Sequence, residues 1–120
     1  MKFINFTNHP SSGWLKEQYA AALEYGEVID IQFPNITPSF TSAMVSDLAD
    51  KAVDTIMSYG KDIIVHIMGE MTFTYAVVSR LKAQGIKCIA STTERDPNKT
   101  ITLPDGKIIK EFKFVQFREY

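Results

Sequence analysis

The spacing of apolar residues along this chain changes several times, and each change marks an element. Lys2-Phe3-Ile4-Asn5-Phe6-Thr7 is an aromatic and β-branched run that stops at the breaker cluster Asn8-His9-Pro10-Ser11-Ser12-Gly13, which predicts a strand feeding a loop. Leu15, Tyr19, Ala22 and Leu23 then recur at helical spacing up to Gly26, with Ser11 or Ser12 as the expected N-cap. Val28 to Phe33 reads as a second strand with Asp30 and Gln32 on its wetter side, and Pro34 and Pro38 bracket a loop. From about Thr41 to Tyr59, residues Val45, Leu48, Ala49, Ala52, Val53 and Ile56 trace the clearest amphipathic helix of the chain.

Ile63 to Met68 is apolar on both alternating faces, as expected of a central parallel strand covered on each side. After Gly69-Glu70, Thr72 is the expected cap of a helix that buries Phe73, Ala76, Val77 and Leu81 and stops at Gly85. Ile86 to Ser91 reads as the fourth strand. This β-α-β-α-β-α-β order predicts a doubly wound parallel sheet of order 2-1-3-4, with right-handed crossovers and helices on both faces. Thr100 to Leu103, the turn Pro104-Asp105-Gly106 and Lys107 to Phe117 then predict a C-terminal β-hairpin. On its last strand Phe112 and Phe114 are expected on one face, and Val115 and Phe117 on the other. Such a strand either meets a second copy of the chain or crosses the sheet as an inner strand.

Composition bounds what this α/β domain does. With 120 residues, 45% of them hydrophobic and 12% aromatic, residues 1–120 are expected to form one domain with its own core. A net charge of −1 argues against a protein that coats long nucleic acid or a membrane surface. No apolar run approaches the ~20 residues of a membrane helix. The first residues do not read as a secretory signal and Cys88 stands alone, so a cytoplasmic location is expected. The charge is nonetheless uneven. Residues 1–60 carry three Lys against seven acids, and residues 61–120 ten bases against seven acids, which makes the second half either the anion-facing half or simply a set of solvated faces.

In an open parallel sheet, ligands bind beyond the carboxyl ends of the strands where the strand order reverses. Three polar segments are expected to converge there. Thr7, Asn8, Ser11 and Ser12 follow the first strand, Gly69 and Thr72 the third, and Thr92-Thr93-Glu94-Arg95 the fourth. Backbone donors at helix starts suit phosphate, and Arg95 adds a permanent bidentate cation, although Ser11, Ser12 and Thr72 serve equally as helix caps. His9 is a candidate acid or base on its loop, or only a turn-former before Pro10. Glu70 can orient a ribose hydroxyl, act as a base, or favour a helix N-terminus through its charge. His66 and Cys88, placed mid-strand, read as core. Neither a G-x-G-x-x-G nor a P-loop motif is present, and no residues have zinc spacing, so neither a cofactor nor a metal is expected.

Asn5-Phe6-Thr7-Asn8-His9-Pro10-Ser11-Ser12, Met68-Gly69-Glu70 and Ser91-Thr92-Thr93-Glu94-Arg95, with the terminal hairpin, resemble small standalone proteins of the CRISPR-associated Rossmann-fold (CARF) type. The resemblance spans the whole chain. It implies a Rossmann-like domain that binds a cyclic oligoadenylate, foremost cyclic tetra-adenylate. With no effector domain attached, it further implies a ring nuclease that cleaves this messenger and switches off type III CRISPR signalling. A two-fold ring fits a homodimer. Metal-independent cleavage is expected to leave linear products ending in 2′,3′-cyclic phosphate. Ser11 and Ser12 would hold the phosphate, Arg95 would neutralise it, and His9 or Glu70 would handle protons. Arg95 stands where a Lys is expected. The alternatives are a binding-only sensor of the same fold and an unrelated small hydrolase or scaffold of flavodoxin-like shape.

Overall fold

The computed structural model describes residues 1–106 and 108–120, and the side chains of all of these except 96–101 and 108–111. Lys107, the expected start of the hairpin's return strand, lies outside the described residues. The chain runs β1 (Lys2–Thr7), a short 3-10 turn (Ser11–Gly13), α1 (Lys16–Leu23), β2 (Glu27–Asp30), α2 (Ser42–Met57), β3 (Ile63–Met68), α3 (Met71–Ala83), β4 (Lys87–Thr102) and β5 (Ile108–Glu119). The sheet order is β2-β1-β3-β4-β5, parallel through β4 and antiparallel between β4 and β5. This is the Rossmann-like α/β architecture that the alternation predicts.

Strand pleating divides the core. Ile4, Phe6, Ile63, Val65 and Ile67 face the layer of α2 and α3, together with Val45, Ala49, Val53, Phe73, Val77 and Leu81 from those helices. Phe3, Ile64 and Ile89 face the other side, where Ala22 of α1 covers them and Trp14, Tyr25, Val28 and Phe117 pack around the margin. α2 begins where the sequence places it, because the Thr41 hydroxyl accepts the Met44 N–H at 3.2 Å.

The first helix departs from expectation. It starts at Lys16 after Leu15, which offers no side-chain cap, and Ser11 and Ser12 belong to the separate 3-10 turn. The reason is a tertiary contact: the Ser11 N–H and hydroxyl both donate to Asp30, at 3.1 and 2.8 Å. Of the four residues expected to face inward, only Ala22 is buried, and Leu15, Tyr19 and Leu23 are exposed. An eight-residue helix therefore leaves much of this sheet face to be lined by aromatic rings.

β4 is also longer than Ile86 to Ser91. It pairs with β3 only from Lys87 to Ile89, then continues beyond the sheet as one arm of the hairpin. Thr92 to Arg95 are consequently strand residues, for which β-branched Thr is well suited. A register shift follows the Thr92–Gln116 pair: the next pair is Thr93–Phe114, leaving Val115 as an extra residue. The bulge changes the parity of the strand. Phe117 thereby joins Phe114 on one face, with ring centroids 5.0 Å apart, and the expected split between Phe114 and Phe117 does not occur.

Candidate functional site

A crevice of about 410 Å³ opens beyond the ends of β1 and β3, at the reversal of strand order. The loop after β1 contributes Thr7, Asn8 and His9, and the segment before α1 contributes Trp14. Gly69 borders it from the β3 side, and Ser91, Thr93, Phe112 and Phe114 from the hairpin. The volume falls in the usual small-ligand range of roughly 300–1,000 Å³.

Beneath the crevice, register places Asp30, Asn5 and His66 in one row across β2, β1 and β3. The Asn5 amide nitrogen donates to Asp30 Oδ1 at 2.8 Å and to the His9 carbonyl at 2.9 Å. Two acceptors on that side fix the amide orientation, so its oxygen faces the Thr7 hydroxyl at 3.0 Å and His66 Nδ1 at 3.0 Å. The network therefore assigns the proton to Nδ1 and leaves Nε2 as a lone-pair acceptor. Burial lowers the His66 pKa to about 4, with the nearby His9 contributing in the same direction. Burial pushes Asp30 upward, but the Asn5 and Ser11 side chains and the Ser11 N–H outweigh it and hold the carboxyl below its ordinary value.

The loop is tied to this row through the His9 carbonyl and through Ser11, whose two donors reach Asp30. His9 C=O accepts from Asn5 and, at 3.1 Å, from the indole N–H of Trp14. The His9 N–H donates to the Thr7 hydroxyl oxygen at 3.1 Å. The exposed His9 and Asn8 side chains are thus carried on an anchored backbone at the crevice mouth.

The remaining expected site residues divide. Ser12 faces a separate shallow depression with Tyr19 and Leu23. Glu70, rather than Thr72, is the N-cap of α3: its carboxylate accepts the Phe73 N–H at 2.8 Å, the Thr72 N–H at 3.1 Å and the Thr72 hydroxyl. These bonds, Phe73's foremost, lower its pKa and occupy the helix N-terminus that was expected to hold phosphate. The Thr92 hydroxyl sits at the register shift, bonded to the Gln116 backbone. Arg95 is exposed on β4 opposite Phe112. Among the described residues, the crevice lining holds neither Lys nor Arg, and neither Asp nor Glu.

Trp14, His66, Ser91, Phe112 and Phe114 were not among the expected site residues. One signal for His66 was present, because Asn5 and His66 are the polar intruders in otherwise apolar strands. Cys88, by contrast, is core as expected, with burial raising its thiol pKa to about 11 against a smaller lowering by Lys82.

Fold and crevice define an α/β domain with an aromatic-walled, largely uncharged site at the topological switch point. A protein-family model covers residues 1–118, and the chain belongs to the family described as the uncharacterized protein MJ1673 family. No curated protein and no solved structure matches it. Among the described residues, no helix is long and apolar enough to cross a membrane.

Proposed function

We propose that the crevice binds a nucleotide of the cyclic oligoadenylate class, foremost cyclic tetra-adenylate, and that a homodimer cleaves it as a metal-independent ring nuclease that switches off type III CRISPR signalling. The observation that carries this reading is the set of rings around the crevice, Trp14, Phe112 and Phe114. A stacked base gains about 1–3 kcal/mol on such a ring, without charge. The CARF resemblance supplies the identity of the ligand. A crevice of 410 Å³ suits one nucleotide unit rather than a four-nucleotide ring, so a symmetric ligand requires a second copy. Exposed Leu15 just before α1, Tyr19 and Leu23 on it, and Phe112 and Val115 on the hairpin, offer apolar surface for that contact.

Cleavage follows from in-line alignment. The ribose 2′-oxygen bonds to the adjacent phosphorus as its proton leaves, and the 5′-oxygen departs and takes a proton. The product is linear with a 2′,3′-cyclic phosphate. Of the two proton-handling candidates, His9 is the one at the crevice mouth, since the Glu70 carboxylate is engaged with α3. The absence of a described cation in the lining favours a second reading, a module that binds the ring without cutting it. Incubation with cyclic tetra-adenylate in EDTA, followed by product separation, distinguishes them. Linear adenylates support the nuclease, tight binding with an intact ring supports the sensor, and no binding overturns both.

A further inference from the structure

In the row formed by Asp30, Asn5 and His66, the His66 Nε2 atom has no hydrogen-bond partner among the described residues. The residue is 2% exposed and lines the crevice. Its ring is held on three sides by Phe3, Trp14 and Phe117, at centroid distances of 5.8, 5.5 and 5.3 Å. Buried acceptors are rarely left unpaired, and each that is calls for an explanation, a bound partner among them. Here the reason is visible in the relay behind the ring. Asp30 orients Asn5, Asn5 fixes the Nδ1–H tautomer, and Nε2 can then only accept.

We infer that His66 is the specificity-determining residue of the crevice, its Nε2 accepting a hydrogen bond from the exocyclic amino group of an adenine-type base. This rests on the nucleotide reading above. The donor must be neutral, because no described carboxylate lines the crevice to accompany a cation. It must also arrive on a flat apolar body, because rings surround the acceptor. The amino edge of a purine meets both requirements. Ribose and phosphate instead match the polar mouth formed by Asn8, His9 and Thr93. Burial keeps the imidazole neutral across the physiological range, and a base of pKa about 4 is suited to accepting a hydrogen bond rather than abstracting a proton. The Trp14 and imidazole planes stand at 88° to each other, and Nε2 is buried. A base reaches Nε2 only if a ring packed on His66 shifts, and of Phe3, Trp14 and Phe117 only Trp14 lines the crevice.

The test is calorimetric titration with four probes: cyclic tetra-adenylate, cyclic tetra-inosine, adenosine 5′-monophosphate and inosine 5′-monophosphate. Inosine presents an oxygen acceptor where adenine presents an amino donor, so wild-type protein is expected to prefer each adenine probe by about tenfold or more. His66→Phe keeps a ring in place and leaves the Asn5 oxygen bonded to the Thr7 hydroxyl. In this variant the preference is expected to fall to about twofold or less. Equal affinity of wild-type protein for adenine and inosine probes overturns the inference with or without the variant, as does a preference that survives in H66F. Discrimination between the mononucleotides with no binding of either ring supports the role of His66 and overturns the cyclic-oligoadenylate reading. Binding of none of the four overturns both.

Discussion

His66 Nδ1 and Asn5 Oδ1 lie 3.0 Å apart across adjacent strands, joining the two polar residues that interrupt the central hydrophobic runs. The contact satisfies both groups away from water and connects the sheet to the crevice above it. Through the other end of Asn5 it reaches Asp30 and the His9 carbonyl, so one side chain sets the imidazole tautomer and the position of the loop.

Acid should destabilise the protein through His66 before most carboxylates titrate. Its pKa is lowered from an ordinary 6.5 to about 4 on folding, so the unfolded chain binds more protons between those values. This stability contribution is complete above pH 6.5 and is lost as pH falls toward 4, by about 3 kcal/mol at most. Urea denaturation at pH 7, 5.5 and 4.5 checks this. His66→Phe should flatten the dependence in that window, and an equally steep fall in the variant would assign it to other groups.

Asp30→Ala removes the acceptor of one Asn5 donor and of both Ser11 donors. A loss of roughly 1–3 kcal/mol is expected in urea denaturation. Ligand affinity should weaken as well, because the Asn8 to Gly13 loop loses its Ser11 tether and keeps only the bonds to the His9 carbonyl. Ser11→Ala removes only the hydroxyl bond and should leave affinity within about twofold, as measured by titration with cyclic tetra-adenylate. A loss of binding in Ser11→Ala with unchanged stability would restore the direct phosphate role expected for Ser11.

Gly69 supplies space. A Cβ there would stand 2.2 to 2.7 Å from atoms of the Phe33 ring, which is packed against Phe6 and Phe73. Gly69→Ala should therefore cost about 1–3 kcal/mol by overpacking. Gly13→Ala, also in the crevice lining but with no non-neighbouring atom within 4 Å of the new methyl, should leave the melting temperature nearly unchanged. Thermal melts of the two variants side by side test the assignment.

Glu70→Ala should lower thermal stability modestly, by removing the cap of α3, while ring cleavage stays near wild type. Cleavage abolished at unchanged melting temperature would return Glu70 to the reaction. Arg95→Ala should melt like wild type, because Arg95 is exposed on the hairpin arm, and a large loss of stability would mean that it is structural.

Much of the fold was legible because the apolar period switches cleanly between strand and helix. The sheet order followed from crossover rules, and Thr41 marked the start of α2. Cap identities were less legible. Ser11 has the right chemistry for a helix start, but a carboxylate 19 residues away in sequence claims it, and Glu70 outcompetes Thr72 by accepting two backbone donors. The facing of Phe117 was lost for another reason: one bulged residue, Val115, reverses an alternation that carries no trace of the bulge. The crevice was legible in position, but its lining was only partly so. Thr7, Asn8, His9, Gly69 and Thr93 border the crevice, whereas the expected phosphate cradle is taken up by internal hydrogen bonds. His66 read as core, and it is buried while also lining the crevice.

Trp14 is the only tryptophan in the chain and lines the crevice in contact with His66, so its fluorescence reports on the crevice directly. Titration of the full chain with cyclic tetra-adenylate in EDTA should give a saturable change in Trp14 emission, with the same midpoint by calorimetry. A weaker response is expected from His66→Phe. Unchanged emission together with no heat of binding, at ligand concentrations well above the protein, would contradict the assignment of this crevice as a nucleotide site.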